Sequence, residues 1–364
     1  MIKEISKLKL AITSSCTLRC THCHIDKNSS KVLDLNKAIK AIDFFLSNAG
    51  EFKRLEIYGG EPFLEFEKIK SIIEKAEKLA QKREKKLTIH IATNGTLINN
   101  DILSWIKKRN IYIAVSFSGT KESHNFNRIF KNGKGSWEIV LKNIKKLIKK
   151  IGNERIVILY CVHPSFLKNM VDDFKYIISL GIKIIDIECV HGTTWSKNDY
   201  IIFQKNIQEI NKIIINLLYK EKFIFHEAFI NYIINNNNKD TICPFYSDLE
   251  VYPDGNLGIM PYAFTDYEKT KNKIKVGEIK EKVIIKRKYL LCKPSEKCNI
   301  CIQNYYDKFS FLKDGAIAYH NIREREIKLF FKELLKKSKD DKFIMRYIKN
   351  LVKLASKFYN SKPI

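Results

Sequence analysis

The sequence predicts an α/β fold: a partial, TIM-like (β/α)6 barrel, then a smaller region of different character, then a helical tail. Three observations predict it. The 364 residues are enough for one large domain and a smaller one. The first two-thirds alternates short β-branched runs with amphipathic stretches, the pattern of parallel βα units. Past the polar run Asn235–Lys239 that alternation stops.

Six strands follow in order: Lys7–Thr13, Arg54–Tyr58, Leu87–Thr93, Tyr112–Ser116, Arg155–Val162 and Lys183–Val190. Helical patterns at 3.6-residue spacing fall between them at Leu35–Asn48, Phe66–Arg83, Asp101–Arg109, Trp137–Ile151 and Asn169–Leu180. Asp34 precedes the first helix as an N-cap, because its carboxylate can accept from an orphan N–H of the first turn. Tyr200–Tyr219 reads as a further helix. Pro253-Asp254-Gly255 sits inside a hairpin-like segment, Leu249–Leu257, with turn-forming residues at its centre. From Asn321 the chain is helical and basic, with 13 Lys/Arg against 5 Asp/Glu. Apolar residues at Ile327, Phe330, Phe331 and Leu334, and again at Phe343, Tyr347, Leu351, Leu354 and Phe358, predict amphipathic helices that pack on the body of the protein. Domain boundaries are expected at 1–235, 240–320 and 321–364.

Composition narrows the class. No apolar run reaches membrane-spanning length and Met1–Leu10 lacks a signal-peptide core, so the cytoplasm is the default compartment. Nine cysteines, an odd number with clustered spacings, suit metal binding better than a disulfide framework. The net charge of +26 accompanies heavy Ile and Asn use and reads first as compositional bias. Taken alone it would allow a metal-bound nucleic-acid binder, but the motifs below would then be unexplained.

The most informative stretch is Cys16-Thr-Leu-Arg-Cys20-Thr-His-Cys23, just after the first strand. A four-iron cubane takes four ligands, usually cysteine thiolates, so three leave one iron open to another ligand. A structural zinc loop is the competing reading, and no fourth cysteine or Cys/His pair follows at finger spacing. Gly59-Gly60-Glu61-Pro62 follows the second strand, where glycines allow close backbone approach to a ligand. Thr93-Asn94-Gly95-Thr96 ends the third strand, and Ser116 ends the fourth. Ser116-Phe-Ser-Gly119, His124, Arg128 and Gly135-Ser136-Trp137 follow in turn.

Together these motifs resemble the radical S-adenosylmethionine (SAM) enzymes, in particular their peptide-modifying branch. The resemblance implies that Cys16, Cys20 and Cys23 hold a [4Fe–4S] cluster whose open iron chelates SAM. It implies that Gly59, Gly60 and Glu61 receive the SAM amino group, and that Asn94, Ser116 and Arg128 also contact SAM. An Arg fork suits a planar carboxylate. Two positions depart from the branch: Ser118 stands where Asp is usual, and His22 where an aromatic is usual.

Cys243, Pro253-Asp254-Gly255, Gly277, Cys298 and Cys301 resemble the cluster-binding extension called SPASM, or its shortened form, twitch. Met260 occupies a position where the short form has a cysteine, and Asp307 one where the full form has it. The resemblance then implies one auxiliary iron–sulfur cluster on Cys243, Cys298 and Cys301, with Cys292 a candidate fourth ligand.

At the strand ends, Cys161 and His163 share one face of the fifth strand, and Cys189 and His191 one face of the sixth. Asp186 and Glu188 share the opposite face of that sixth strand. Chemistry sits at the carboxyl ends of strands in such barrels. Only one of these faces can line the interior. In the family that this chain resembles the interior is the more polar face, which implies Glu188, with His191 just past the strand end, as the candidate catalytic residues; Cys161 and Cys189 read as core.

The implied activity is reductive cleavage of SAM to a 5′-deoxyadenosyl radical, which takes a hydrogen atom from a peptide or protein substrate. A donor such as flavodoxin or ferredoxin would supply the electron. Oxidation or rearrangement of a small metabolite is the alternative. The first strand begins almost at Met1, so no leader-recognition domain is expected ahead of the barrel. The basic tail, net +8 over Asn321–Ile364, is the expected site for an acidic leader.

Overall fold

A computed structural model describes residues 4–26, 29–226, 247–262, 267–291 and 313–359. The expected alternation is present: β1 Lys7–Ala11, α1 Leu35–Ser47, β2 Phe52–Tyr58, α2 Phe66–Lys82, β3 Lys86–Thr93, α3 Asn100–Lys107 and β4 Ile111–Ser116. A short helix the sequence reading lacked, α4 Lys121–Asn127, precedes α5 Trp137–Ile151. Then follow β5 Ile156–Val162, α6 Met170–Ser179, β6 Ile184–Cys189, α7 Lys197–Tyr219 and the two-residue β7 Phe225–His226. The fold is α/β with parallel strands, as the alternation predicts. The chain divides into two units, one of residues 1–19, 23–113 and 238–305, the other of 20–22, 114–237 and 306–364.

In the first unit β1 lies between β2 and β8 (Asp248–Val251), parallel to both, and β2 pairs in parallel with β3. β9 (Asn256–Gly258), β10 (Gly277–Ile279) and β11 (Val283–Ile285) continue antiparallel beyond β8. The segment expected to form a separate small domain thus extends the sheet of β1. Leu249 and Val251 pair with Leu8 and Leu10, so apolar side chains lie beside apolar ones across the strands. Leu8, Leu10, Leu55 and Ile57 are buried, as are Ala38, Ile42 and Phe45 of α1 and Ile69, Ile72 and Ile73 of α2. Each of these Leu, Ile and Phe side chains contributes about 1.5–3 kcal/mol. Asp34 caps α1, its carboxylate accepting from Lys37 N at 2.9 Å. The hairpin turn is made as expected: Gly255 has φ +87° and Asp254 accepts from Asn256 N at 2.9 Å.

In the second unit β5, β6 and β7 pair in parallel. α7 begins three residues before the expected start because Ser196 and Asp199 form a reciprocal capping box. The tail packs on this unit. A helical turn (Lys313–Ala316) runs into a π-helical segment (Ile317–Arg323), then α8 (Glu324–Lys337) and α9 (Lys342–Tyr359). Glu326 accepts from Gln204 and Gln208 of α7 at 2.8 and 3.1 Å. Tyr347 donates to Ile224 O at 2.9 Å and stacks on Phe225, while Ile327, Phe331, Leu334 and Leu351 are buried. No helix among the described residues is long and apolar enough to cross a membrane.

Candidate active site

The loop after β1 carries Cys16, Cys20 and Cys23, all half-buried. Its start is fixed to neighbouring chain: Ser14 N donates to Lys31 O at 2.8 Å and Leu33 N to Ile12 O at 2.8 Å. On its other side it meets the Gly59–Pro62 turn. Gly60 N donates to Thr13 O at 2.7 Å and Glu61 N to Ser15 O at 2.8 Å. Glycine is required there. Gly59 has φ +138°, and a Cβ on Gly60 would lie 2.1 Å from Ser15 O. In the second unit, Thr21 N and Oγ1 bond to Asn127 O and Oδ1 at 3.0 and 2.9 Å, fixing the segment that includes Cys20.

Glu61 differs from its expected use. Its side chain is fully buried and accepts three hydrogen bonds, from Phe63 N at 3.1 Å, Thr93 Oγ1 at 2.8 Å and Asn94 N at 2.8 Å. Burial pushes its carboxyl up to about 7 against those three donors. The carboxylate ties the Gly-Gly-Glu-Pro turn to the Thr-Asn-Gly turn. What the first turn offers a ligand is backbone: among the described residues no donor reaches the carbonyl oxygens of Gly59 or Gly60.

Asn94 is also engaged, its side chain lying between Thr96, Thr17 and the Cys16 sulfur. The Cys16 Sγ receives Asn94 Nδ2 at 3.4 Å and Leu18 N at 3.5 Å. N–H groups directed at a sulfur favour its thiolate, the form that ligates metal. Cysteine thiols are the donor chemistry a cubane takes, and the loop supplies three of them in sequence; among the described residues no group of three or more Cys, His, Asp or Glu is assembled to hold a single metal ion.

In the second unit Ser116 ends β4 half-buried, and Arg128 follows α4, 5% exposed. Arg128 Nη2 donates to Cys161 Sγ at 3.0 Å. Ser136 braces the Arg128 carbonyl, its Oγ donating at 2.8 Å, and His124 Nε2 meets the same hydroxyl at 3.0 Å. Burial, and then the Arg128 charge, hold His124 well below the usual histidine range, so its ring is neutral. The His124–Arg128–Ser136 context therefore supports the Arg128 backbone. Ser118 is buried and donates its N–H to His124 Nδ1 at 3.3 Å.

The register settles which faces meet. Cys161 pairs with Glu188 and Leu159 with Asp186, so Cys161, Asp186 and Glu188 share one face. Burial raises the Cys161 thiol despite Arg128, keeping it protonated at neutral pH. Arg323 of the π-helical segment, 2% exposed, pairs with Asp186, and its guanidinium lies 4.4 Å from the Tyr319 ring centre. Cys189 is buried, as expected of a core residue. His191 is buried beside the tail: a Cβ on Gly315 would lie 2.8 Å from its Cα. Glu188 therefore lies on the polar face, and His191 lies under Gly315.

Sequence reasoning missed a second polar row, in the first unit. Lys9 pairs across strands with Glu56 and Glu250, and Glu56 with His90, which stacks on Tyr112 at 4.9 Å. Burial alone would raise Glu56; Arg54, Lys7 and Lys9 override it and hold the carboxyl at about 2. Burial raises Glu250 to about 8 in spite of Lys9 and a hydrogen bond from Tyr262 N at 2.8 Å. The signal was available as alternation in Lys7-Leu-Lys9-Leu, Arg54-Leu-Glu56-Ile and Asp248-Leu-Glu250-Val. Met260 is buried and its carbonyl accepts the Tyr252 hydroxyl at 2.9 Å, so it serves as core. Cys243, Cys292, Cys298 and Cys301 lie outside the described residues.

Residues 10–177 match the family model described as the Radical SAM superfamily. That segment carries a radical SAM domain, and the family implies a [4Fe–4S] cluster and SAM. Among curated proteins it is 27% identical over 303 residues to "Uncharacterized protein MJ0907" of Methanocaldococcus jannaschii, covering 80% of this chain and 98% of that one. It is 23% identical over 302 residues to "Cysteine-type anaerobic sulfatase-maturating enzyme" of Clostridium novyi, covering 77% of this chain and 78% of that one. Among solved structures, "Native anSMEcpe with bound AdoMet and Cp18Cys peptide" aligns with TM-score 0.67 at 16% identity, covering 96% of this chain and 99% of that one. That alignment shows a shared fold.

Proposed function

We propose that this protein modifies a peptide or protein side chain, abstracting a hydrogen atom by radical SAM chemistry. The observation that carries this reading is the similarity to the sulfatase-maturating enzyme, which extends over 77% of the chain and 78% of that protein. Cys16, Cys20 and Cys23 are the proposed ligands of the [4Fe–4S] cluster. When bound, that cluster supplies the electron that cleaves SAM to methionine and a 5′-deoxyadenosyl radical.

The protein's own part is to hold and orient. Gly59 and Gly60 would present carbonyl oxygens to the SAM amino group, and Glu61 fixes the turn that carries them. Ser116 and Arg128 are proposed as SAM contacts on their sequence context. Glu188, on the polar face with Cys161, is the proposed substrate-facing carboxylate; the packing of His191 beneath Gly315 favours a supporting place for that residue. Fixing target and cofactor in reach, with water excluded, is where such a site gains its rate. Cys243, Cys298 and Cys301, with Cys292, are proposed ligands of one auxiliary cluster in a SPASM/twitch-like segment. Thiolates in such numbers suit a reducing compartment, the cytoplasm, with a flavodoxin or ferredoxin as electron donor. An acidic leader on the substrate would complement the basic tail.

Anaerobic reconstitution with iron and sulfide, then SAM and dithionite, tests the reading. Wild type should form 5′-deoxyadenosine, and C16A, C20A and C23A should form none. Peptides encoded beside the gene should change mass when incubated with wild type. No 5′-deoxyadenosine from cluster-loaded wild type would refute radical chemistry. Turnover of a small metabolite, with every such peptide unchanged, would refute the peptide assignment.

A further inference from the structure

The residue on the Cys16 sulfur has a defined orientation. Asn94 follows β3 and is 7% exposed. Its Oδ1 accepts from Thr96 N at 2.9 Å and from Thr96 Oγ1 at 2.7 Å. A backbone N–H can only donate, so this end of the amide must be the oxygen. The Nδ2 end is thereby turned to Thr17 Oγ1 at 2.9 Å and to Cys16 Sγ at 3.4 Å. Thr17 Oγ1 in turn meets Thr96 Oγ1 at 2.8 Å, and the Asn94 N–H donates to Glu61 Oε2 at 2.8 Å. Main chain and side chain are both anchored, and these contacts aim the amide at the sulfur.

We propose that Asn94 is a positioning residue for the cluster: its side-chain amide donates to the Cys16 sulfur and raises the reduction potential of the cluster bound there. This rests on the reading of Cys16, Cys20 and Cys23 as cluster ligands, and it replaces the direct SAM contact expected of Asn94. The physical reason is charge. Reduction adds one electron to a cluster already bearing thiolates, and an N–H donor at a ligand sulfur favours the more negative state. Hydrogen bonds to sulfur are among the levers a protein has on such potentials. The assignment also gives the Thr93-Asn94-Gly95-Thr96 turn a purpose distinct from that of the glycines.

The test uses full-length protein, reconstituted anaerobically with iron and sulfide, without SAM. Wild type, N94A, N94D and T17V are analysed for bound iron and sulfide. Each is then titrated potentiometrically with the reduced cluster followed by electron paramagnetic resonance. N94D keeps the acceptor for Thr96 but loses the donor, so it carries the test if N94A does not fold. Both Asn94 variants should favour the oxidised cluster by about ten-fold relative to wild type, about 59 mV for one electron. N94D should shift further because it adds negative charge. T17V removes the competing acceptor, leaves the amide to the sulfur, and should titrate at or above wild type. Equal potentials for wild type and a fully loaded Asn94 variant would overturn the proposal, as would a T17V potential below wild type. A wild type that takes up no reducible cubane would overturn the cluster reading itself, a result distinct from an unshifted potential.

Discussion

Glu61→Gln is the perturbation that most directly separates a carboxylate that holds the fold from one that meets a ligand. The Glu61 side chain is fully buried and accepts from Phe63 N, Thr93 Oγ1 and Asn94 N. Burial lifts its carboxyl from 4.5 to about 7, and each unit of that shift is about 1.4 kcal/mol. The native state then binds a proton that the unfolded chain has released. Stability from this group is complete below pH 4.5 and is lost as pH rises to about 7, in total about 3 kcal/mol. The glutamine does not titrate. Its NH2 must face at least one of the three donors, leaving that donor unsatisfied at a cost of about 1–3 kcal/mol. E61Q should therefore be clearly less stable than wild type at pH 5 and close to it at pH 8. Urea unfolding of the iron-free, thiol-reduced proteins, followed by circular dichroism at both pH values, measures the difference. Parallel pH profiles for the two proteins would refute the reasoning, because the titrating group would then lie elsewhere.

Gly60→Ala should lower both bound iron after reconstitution and thermal stability, since its Cβ would meet Ser15 O at 2.1 Å in the cysteine loop; melting temperature and iron analysis check this. Arg323→Ala should cost about 3–5 kcal/mol by leaving Asp186 buried and uncompensated, and the R323M/D186L double variant should recover most of it in urea unfolding. Ser196→Ala should cost about 1 kcal/mol through loss of the α7 capping box, without changing cluster uptake.

The periodic elements were legible because their signals are local. The alternation of strand and helix, the Asp34 cap and the Pro253-Asp254-Gly255 turn each depend on residues within a few positions of one another. The capping box of α7 is local too, yet the apolar pattern from Tyr200 outweighed the Ser196-x-x-Asp199 spacing. Long-range pairings were not legible. Nothing near Asp248–Val251 announces that it lies parallel to β1, and nothing near Arg323 names Asp186, 137 residues away. The motif residues themselves were found, but what their side chains touch was not. The motif points Glu61 at SAM, whereas its carboxylate accepts from Phe63 N in its own turn and from Thr93 and Asn94 at the end of the next strand.

These connections make the first unit's site a single hydrogen-bonded object. Ser14 and Leu33 fix the start of the cysteine loop, Gly60 and Glu61 hold it through Thr13 and Ser15, and Glu61 holds Asn94, which returns to Cys16. Four segments far apart in sequence thus constrain one sulfur. A ligand that binds this loop only in its folded arrangement must stabilise all four, since binding free energy at a site absent from the unfolded chain is also folding free energy. The converse also holds. Damage to the Gly59–Glu61 turn or to Asn94 reaches Cys16 without touching a ligand atom, so loss of cluster from such variants reports broken positioning rather than a missing thiolate. That is why the conservative changes, E61Q and N94D, are more informative here than removal of a cysteine.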